Sequence, residues 1–127
     1  MSSAAMGDLE RFVRGDCDPA NFPHREHVRM AFEMLCRHSF TETALHYSRA
    51  LRTMATRAGN PGAYHETITI AFLSLVAERA GNEMDFERFA RANPDLLDQS
   101  ALLRWYRPER LASDAARRTF LLPEPRA

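Results

Sequence analysis

In a chain of 127 residues, 17 acidic side chains are balanced by 17 basic ones, and every basic one is Arg. That balance gives no electrostatic reason to expect nucleic acid or an anionic membrane as a partner. The absence of Lys excludes Schiff-base chemistry and a phosphate-loop lysine.

The length suits one helical domain over residues 8–122, with flexible ends at 1–7 and 123–127. Asp8 to Arg14 reads as a short helix presenting Leu9, Phe12 and Val13, stopped by Gly15-Asp16. A turn-rich stretch with two prolines leads from Cys17 to Pro23. The next helix runs from about His24 to His38, with Val28, Ala31, Phe32 and Leu35 on one face. His24 lies over the centre of that face and His27 at its edge, while Arg25, Arg29 and Glu33 point away.

Ser39 and Glu42 have the spacing of a capping box, with Phe40 as a staple, and open a helix from Thr41 to Ala58. Its buried side collects Ala44, Tyr47, Leu51, Met54, Ala55 and Ala58, and His46 falls on the outer side. Gly59-Asn60-Pro61-Gly62 breaks the chain before a central helix. Asn60 suits its N-cap and Pro61 its first position, and Gly81-Asn82 end it. This helix is apolar round most of its circumference, which places it inside the protein. Tyr64, Ile68, Phe72, Leu75 and Val76 form one side, and only the arc of Thr67, Ser74 and Glu78 reads as water-facing.

Met84 to Asn93 forms a helix with Phe86, Phe89 and Ala90 inward, broken by Asn93-Pro94-Asp95. Ala101 to Tyr106 is helical up to Pro108, and Ser113 caps a last helix through Phe120. No segment alternates with the period of a strand. The expected fold is all-α: a single-domain bundle of three long helices, with shorter C-terminal helices packed over them.

Cys17 and Cys36 belong to no CxxC pair or Cys-rich framework, so a reduced, cytoplasmic setting is expected. The first residues lack the pattern of a secretory signal, and the longest apolar run, Ile70 to Ala77, is far short of a membrane span. A soluble protein follows from these readings.

The strongest chemical constellation is His24-x-x-His27 with His65-Glu66. Residues three apart on a helix are neighbours, so His24 and His27 can aim at one point, and His65 comes from the facing central helix. Three His ligands suit a catalytic zinc, and two His with a carboxylate suit non-haem iron, so a divalent metal on His24, His27 and His65 is expected. Glu66 then serves as a further ligand, as a partner orienting one, or as general base. His65-Glu66-Thr67-Ile68-Thr69 begins like the zinc-protease helix, but Thr69 stands where the second His is required, which excludes that chemistry.

A second reading keeps the same pocket without metal. It binds a small acidic or aromatic metabolite with Tyr64 and Thr69 lining it and Arg110 or Arg117 nearby. A third uses Arg104-Trp105-Tyr106-Arg107-Pro108-Glu109-Arg110, followed by Arg117-Arg118, as a surface for another protein or as a lid over the helices.

The chain also resembles a group of small bacterial proteins. Their shared pattern is carried here by His24, His27, Val28 and Ala31, then Tyr64 to Thr67 with Thr69. It continues through Asn93, Pro94, Leu96, Leu97 and Asp98, then Tyr106, Glu109, Arg110, Leu111, Ser113, Ala116, Arg117, Phe120 and Pro123. The resemblance implies an all-helical small domain and no particular activity.

Overall fold

The computed structural model describes residues 3–125, and side chains from residue 7 onward. It is all-helical, with no strand among the described residues. Among the described residues seven α-helices follow one another: α1 (Ser3–Val13), α2 (His24–Leu35), α3 (Phe40–Arg57), α4 (Glu66–Ala80), α5 (Phe86–Ala92), α6 (Pro108–Leu111) and α7 (Asp114–Arg118). Short 3-10 turns lie at Pro19–Asn21, Pro61–Ala63, Pro94–Leu97 and Gln99–Arg104. No helix among the described residues is long and apolar enough to cross a membrane.

Helices α3, α4, α5 and α7 start where a polar side chain takes up a free amide of the first turn. Ser39 and Glu42 form a complete capping box on α3. Asp85 caps α5 and Ser113 caps α7. Gly15, which ends the α1 turn, has φ 75°, and a Cβ there would meet Thr53 of α3 at 2.4 Å. Conformation and space both demand glycine, so α1 lies tight against α3.

Two apolar clusters fill the interior. The larger joins Phe12 of α1, Phe32 of α2, Tyr47 and Met54 of α3, Leu73 and Val76 of α4, and Phe89 of α5. The smaller joins Ala71 and Phe72 of α4 to Ala101, Leu102 and Tyr106. Helix α4 therefore contributes to both, which accounts for its apolar circumference. α2 and α3 pack on one side of it, α7 and the C-terminal segment on the other.

Several boundaries differ from the sequence reading. Residues 3–7 belong to α1 rather than to a loose end, and residues 1–2 and 126–127 lie outside the described part. Val13 is 41% exposed, so among the described side chains of α1 Phe12 is buried and Leu9 partly so. Phe40 is the first residue of α3, inside the cap where a staple would precede it, and is 37% exposed. Ala58, assigned to the buried side of α3, is exposed. Arg29, assigned to water, is mostly covered, with ion pairs to Glu26 and Asp8. Ala101 to Arg104 belong to a 3-10 turn, and Trp105 and Tyr106 lie beyond it, in place of a helix.

The largest correction concerns the start of α4. Asn60 and Pro61 open only a 3-10 turn, the chain is extended at Tyr64 and His65, and His65 itself is the N-cap. Thr67, expected in water, is fully buried. Its hydroxyl donates to the Thr119 carbonyl at 2.7 Å and accepts from the Leu121 amide at 3.0 Å. Period alone could not reveal this, because the covering segment is 52 residues away in the chain.

Candidate functional site

A cavity of about 610 Å³ opens between α2, α3 and α4, a size at which small-molecule sites occur. Val28 and Ala31 of α2, Leu51 and Met54 of α3, and Phe72 and Val76 of α4 supply its apolar walls. His24, His27, Tyr47, Tyr64, His65 and Thr69 are the polar side chains set among them. Pro19, Asn60, Ala63 and Gln99 form an exposed rim. Pro23, as N-cap of α2, sets both its histidines on this wall.

Two of these three histidines, His24 and His65, are tied to backbone. His24 Nε2 donates to the Leu96 carbonyl at 2.9 Å, and its ring meets Phe72 edge-on at 4.8 Å. Burial lowers the His24 pKa against that carbonyl bond. His27 packs edge-on to Phe22 at 4.8 Å. Burial first, then repulsion from His24, brings its pKa down to about 4. Both rings are therefore neutral at pH 7.

His65 is bound at both nitrogens. Nδ1 accepts from the Ile68 amide at 3.1 Å, so the proton sits on Nε2, which donates to the Leu111 carbonyl at 2.7 Å. A ring so fixed has no lone pair left for a metal. Glu66 is engaged as well: Oε1 accepts from the Tyr64 hydroxyl at 2.5 Å and from Arg52 at 3.2 Å. The Arg52 guanidinium also lies over the Tyr64 ring, 4.7 Å from its centroid. Burial and the neighbouring Glu66 raise the Tyr64 pKa, so it remains a neutral phenol. Arg52 was missed in the sequence, where only its outward place on α3 is visible.

The expected metal quartet is not assembled. Among the described residues no three His, Cys, Asp or Glu side chains come together to hold an ion. What the structure brings together is His24, His27, His65, Tyr64 and Thr69 around one cavity, with Glu66 tied to Tyr64 beside it.

Arg110 and Arg117 stand apart from that cavity. Arg110 Nε donates to the Leu122 carbonyl at 2.9 Å, and Arg117 reaches the Gly62 carbonyl at 2.7 Å. Arg117 thereby steadies the turn whose neighbours Asn60 and Ala63 form part of the rim. The rest of the C-terminal motif is likewise occupied with holding the chain. Tyr106 is buried and donates to the Leu121 carbonyl at 2.6 Å, and Arg107 pairs with Glu124. Trp105 is 40% exposed under the Arg104 guanidinium, 5.1 Å away. No protein-family model, curated protein or solved structure matches this chain.

Proposed function

We propose that this protein is a binding module for a small, largely apolar molecule held between α2, α3 and α4, the three longest helices, read as a bundle around the ligand. The observation that carries the reading is the 610 Å³ cavity itself, with an exposed rim and apolar walls interrupted by a few ordered polar groups. Side chains that would have filled this space were they larger (Ala31, Ala55 and Ala58) are small. Catalysis is not part of the proposal.

A thermal-shift titration with a flat apolar probe such as naphthalene tests it. Saturating the site at about 100 times Kd should add roughly 2.7 kcal/mol to stability and raise the melting temperature accordingly. Filling the cavity by Ala31→Phe should abolish that response. An unchanged melting temperature across a set of apolar probes would sink the reading.

A divalent metal is the second reading, favoured by His24 and His27 standing one turn apart on the same wall. It requires His65 to release Ile68 and Leu111, or an ion held by two histidines and water. Zn²⁺, Fe²⁺ or Mn²⁺ added to untagged protein should then raise the melting temperature, and His24→Ala should cancel that rise. Nucleic acid has no place in either reading, given the neutral charge balance.

A further inference from the structure

The polar side chains around the cavity share one property that narrows what the site can take. His24 spends its ring proton on the Leu96 carbonyl. His65 spends its own on the Leu111 carbonyl. The Tyr47 hydroxyl donates to the His27 carbonyl at 3.1 Å, and Thr69 donates to the His65 carbonyl at 2.7 Å. Tyr64 donates to Glu66, and the His27 ring lies edge-on to Phe22 at 4.8 Å. A neutral imidazole, a phenol and an alcohol each own a single proton, and those of His24, His65, Tyr47, Tyr64 and Thr69 are already committed to protein acceptors. What His24, Tyr47 and Thr69 keep is lone pairs. The side-chain amides of Asn60 and Gln99, which can still donate, stand on the exposed rim.

From this inventory we infer that the ligand is a neutral molecule with an apolar body and a hydrogen-bond donor, such as a phenol, an indole or an alcohol. The inference rests on the cavity being a ligand site and adds the chemical class. An anion meets no cationic side chain on the walls, since Arg110 and Arg117 bond to backbone elsewhere. A cation would give up its water for an apolar space with no carboxylate on its walls, because Glu66 is held outside by Tyr64 and Arg52. A donor buried against an imidazole lone pair gains a hydrogen bond and needs no charge. A molecule carrying only acceptors loses its water there and finds no donor on His24, Tyr47 or Thr69.

One scaffold with four head groups tests this on the unmodified protein. Calorimetric titration at pH 7.5 with 2-naphthol, 2-methoxynaphthalene, 2-naphthoate and 2-naphthylmethylammonium compares a donor, a methyl-blocked acceptor, an anion and a cation. The naphthol should bind about tenfold more tightly than its methyl ether, and should exceed both charged probes. In ¹⁵N spectra of histidine-labelled protein, the His24 or His27 ring signals should move with naphthol and not with the ether, while His65 stays in place. Equal binding of naphthol and ether would overturn the inference and leave an apolar site standing. Tightest binding of the naphthoate would also overturn it, pointing instead to the free amides of the first turns of α2 and α4. Tightest binding of the ammonium would overturn it in favour of a cation site. Binding of none of the four would remove both the inference and the proposed function.

Discussion

At the start of α2, His24 gives one nitrogen to the Leu96 carbonyl and keeps the other, and His27 stands with it on the cavity wall. At the start of α4, His65 gives one nitrogen to the Leu111 carbonyl and uses the other to cap its own helix at Ile68. Both regions open a helix with an inward histidine, and both tie distant chain to that helix. They differ in what is left over. The α2 pair retains lone pairs beside open space, whereas the α4 ring is fully consumed as a structural joint. A histidine at a helix start is thus a candidate site residue only after its two nitrogens have been counted.

The sharpest way to break this contrast is to remove the joint. His65→Ala leaves the Ile68 amide and the Leu111 carbonyl without their partner and opens a hole in a nearly buried position. A loss of about 4 kcal/mol is expected in urea denaturation. His65→Asn, which can still cap at Ile68, should recover about 1 kcal/mol of it. If His65→Ala were neutral, the ring would be free to serve the cavity after all.

Next comes the behaviour of the α2 pair in acid. His27 is held to a pKa of about 4 by burial and by His24, partly offset by Glu26 and the Phe22 backbone. Unfolded, it takes up a proton at the ordinary histidine value of about 6.5. Between those pH values the unfolded chain binds more protons than the folded one, so stability falls as pH drops through that window and is fully present above it. The His27 contribution to that fall is about 3 kcal/mol, seen as a declining urea midpoint from pH 7 to pH 4. His27→Phe should flatten this part of the profile, and an unaltered slope would show that the ring is not desolvated on the wall.

These two predictions bear on how much the sequence could reveal. Ends of helices written in local chemistry were legible: the Ser39 and Glu42 box, the Ser113 cap, and the stop at Gly81, whose φ is 52°. The facing of α2 was legible too, because Val28, Ala31 and Phe32 repeat at helical spacing and are buried. His24, His27, His65, Tyr64 and Thr69 all border one cavity, whereas Glu66, Arg110 and Arg117 do not line it. The start of α4 was not legible. Asn60-Pro61 has the form of a helix start, but Gly62 costs about 1 kcal/mol in a helical turn, and the capping bond of His65 begins the helix five residues later. Nor could local pattern show that Leu96, Leu111 and Thr119 would supply carbonyls to α2 and α4. Those partners lie 72, 46 and 52 residues from the side chains they engage.

Thr67 sharpens the contrast from the other face of α4. Thr67→Val keeps the shape and removes the hydroxyl that bridges the Thr119 carbonyl and the Leu121 amide. About 2 kcal/mol of stability should be lost, with faster hydrogen exchange at the Leu121 amide as the C-terminal segment loosens. Probe binding in the cavity should persist, because Thr67 is not among its walls. Loss of binding would mean that the C-terminal segment and the cavity act as one unit.

Ser39→Ala gives the smallest effect and supplies the yardstick for the His65 result. Ser39 is an exposed N-cap that accepts the Glu42 amide at 3.2 Å, while Glu42 returns a bond to the Ser39 amide. The Ser39 bonds to Glu42 hold the exposed Glu42 carboxyl below its ordinary pKa. Removing the hydroxyl loses one cap in a place where water can replace it, so about 1 kcal/mol is expected. His65 makes the corresponding cap and adds a buried bond to Leu111, so His65→Ala should cost several times more than Ser39→Ala under the same conditions. Equal losses would mean that the Leu111 bond adds nothing to the cap, and that a ligand could draw the His65 ring into the cavity at little cost.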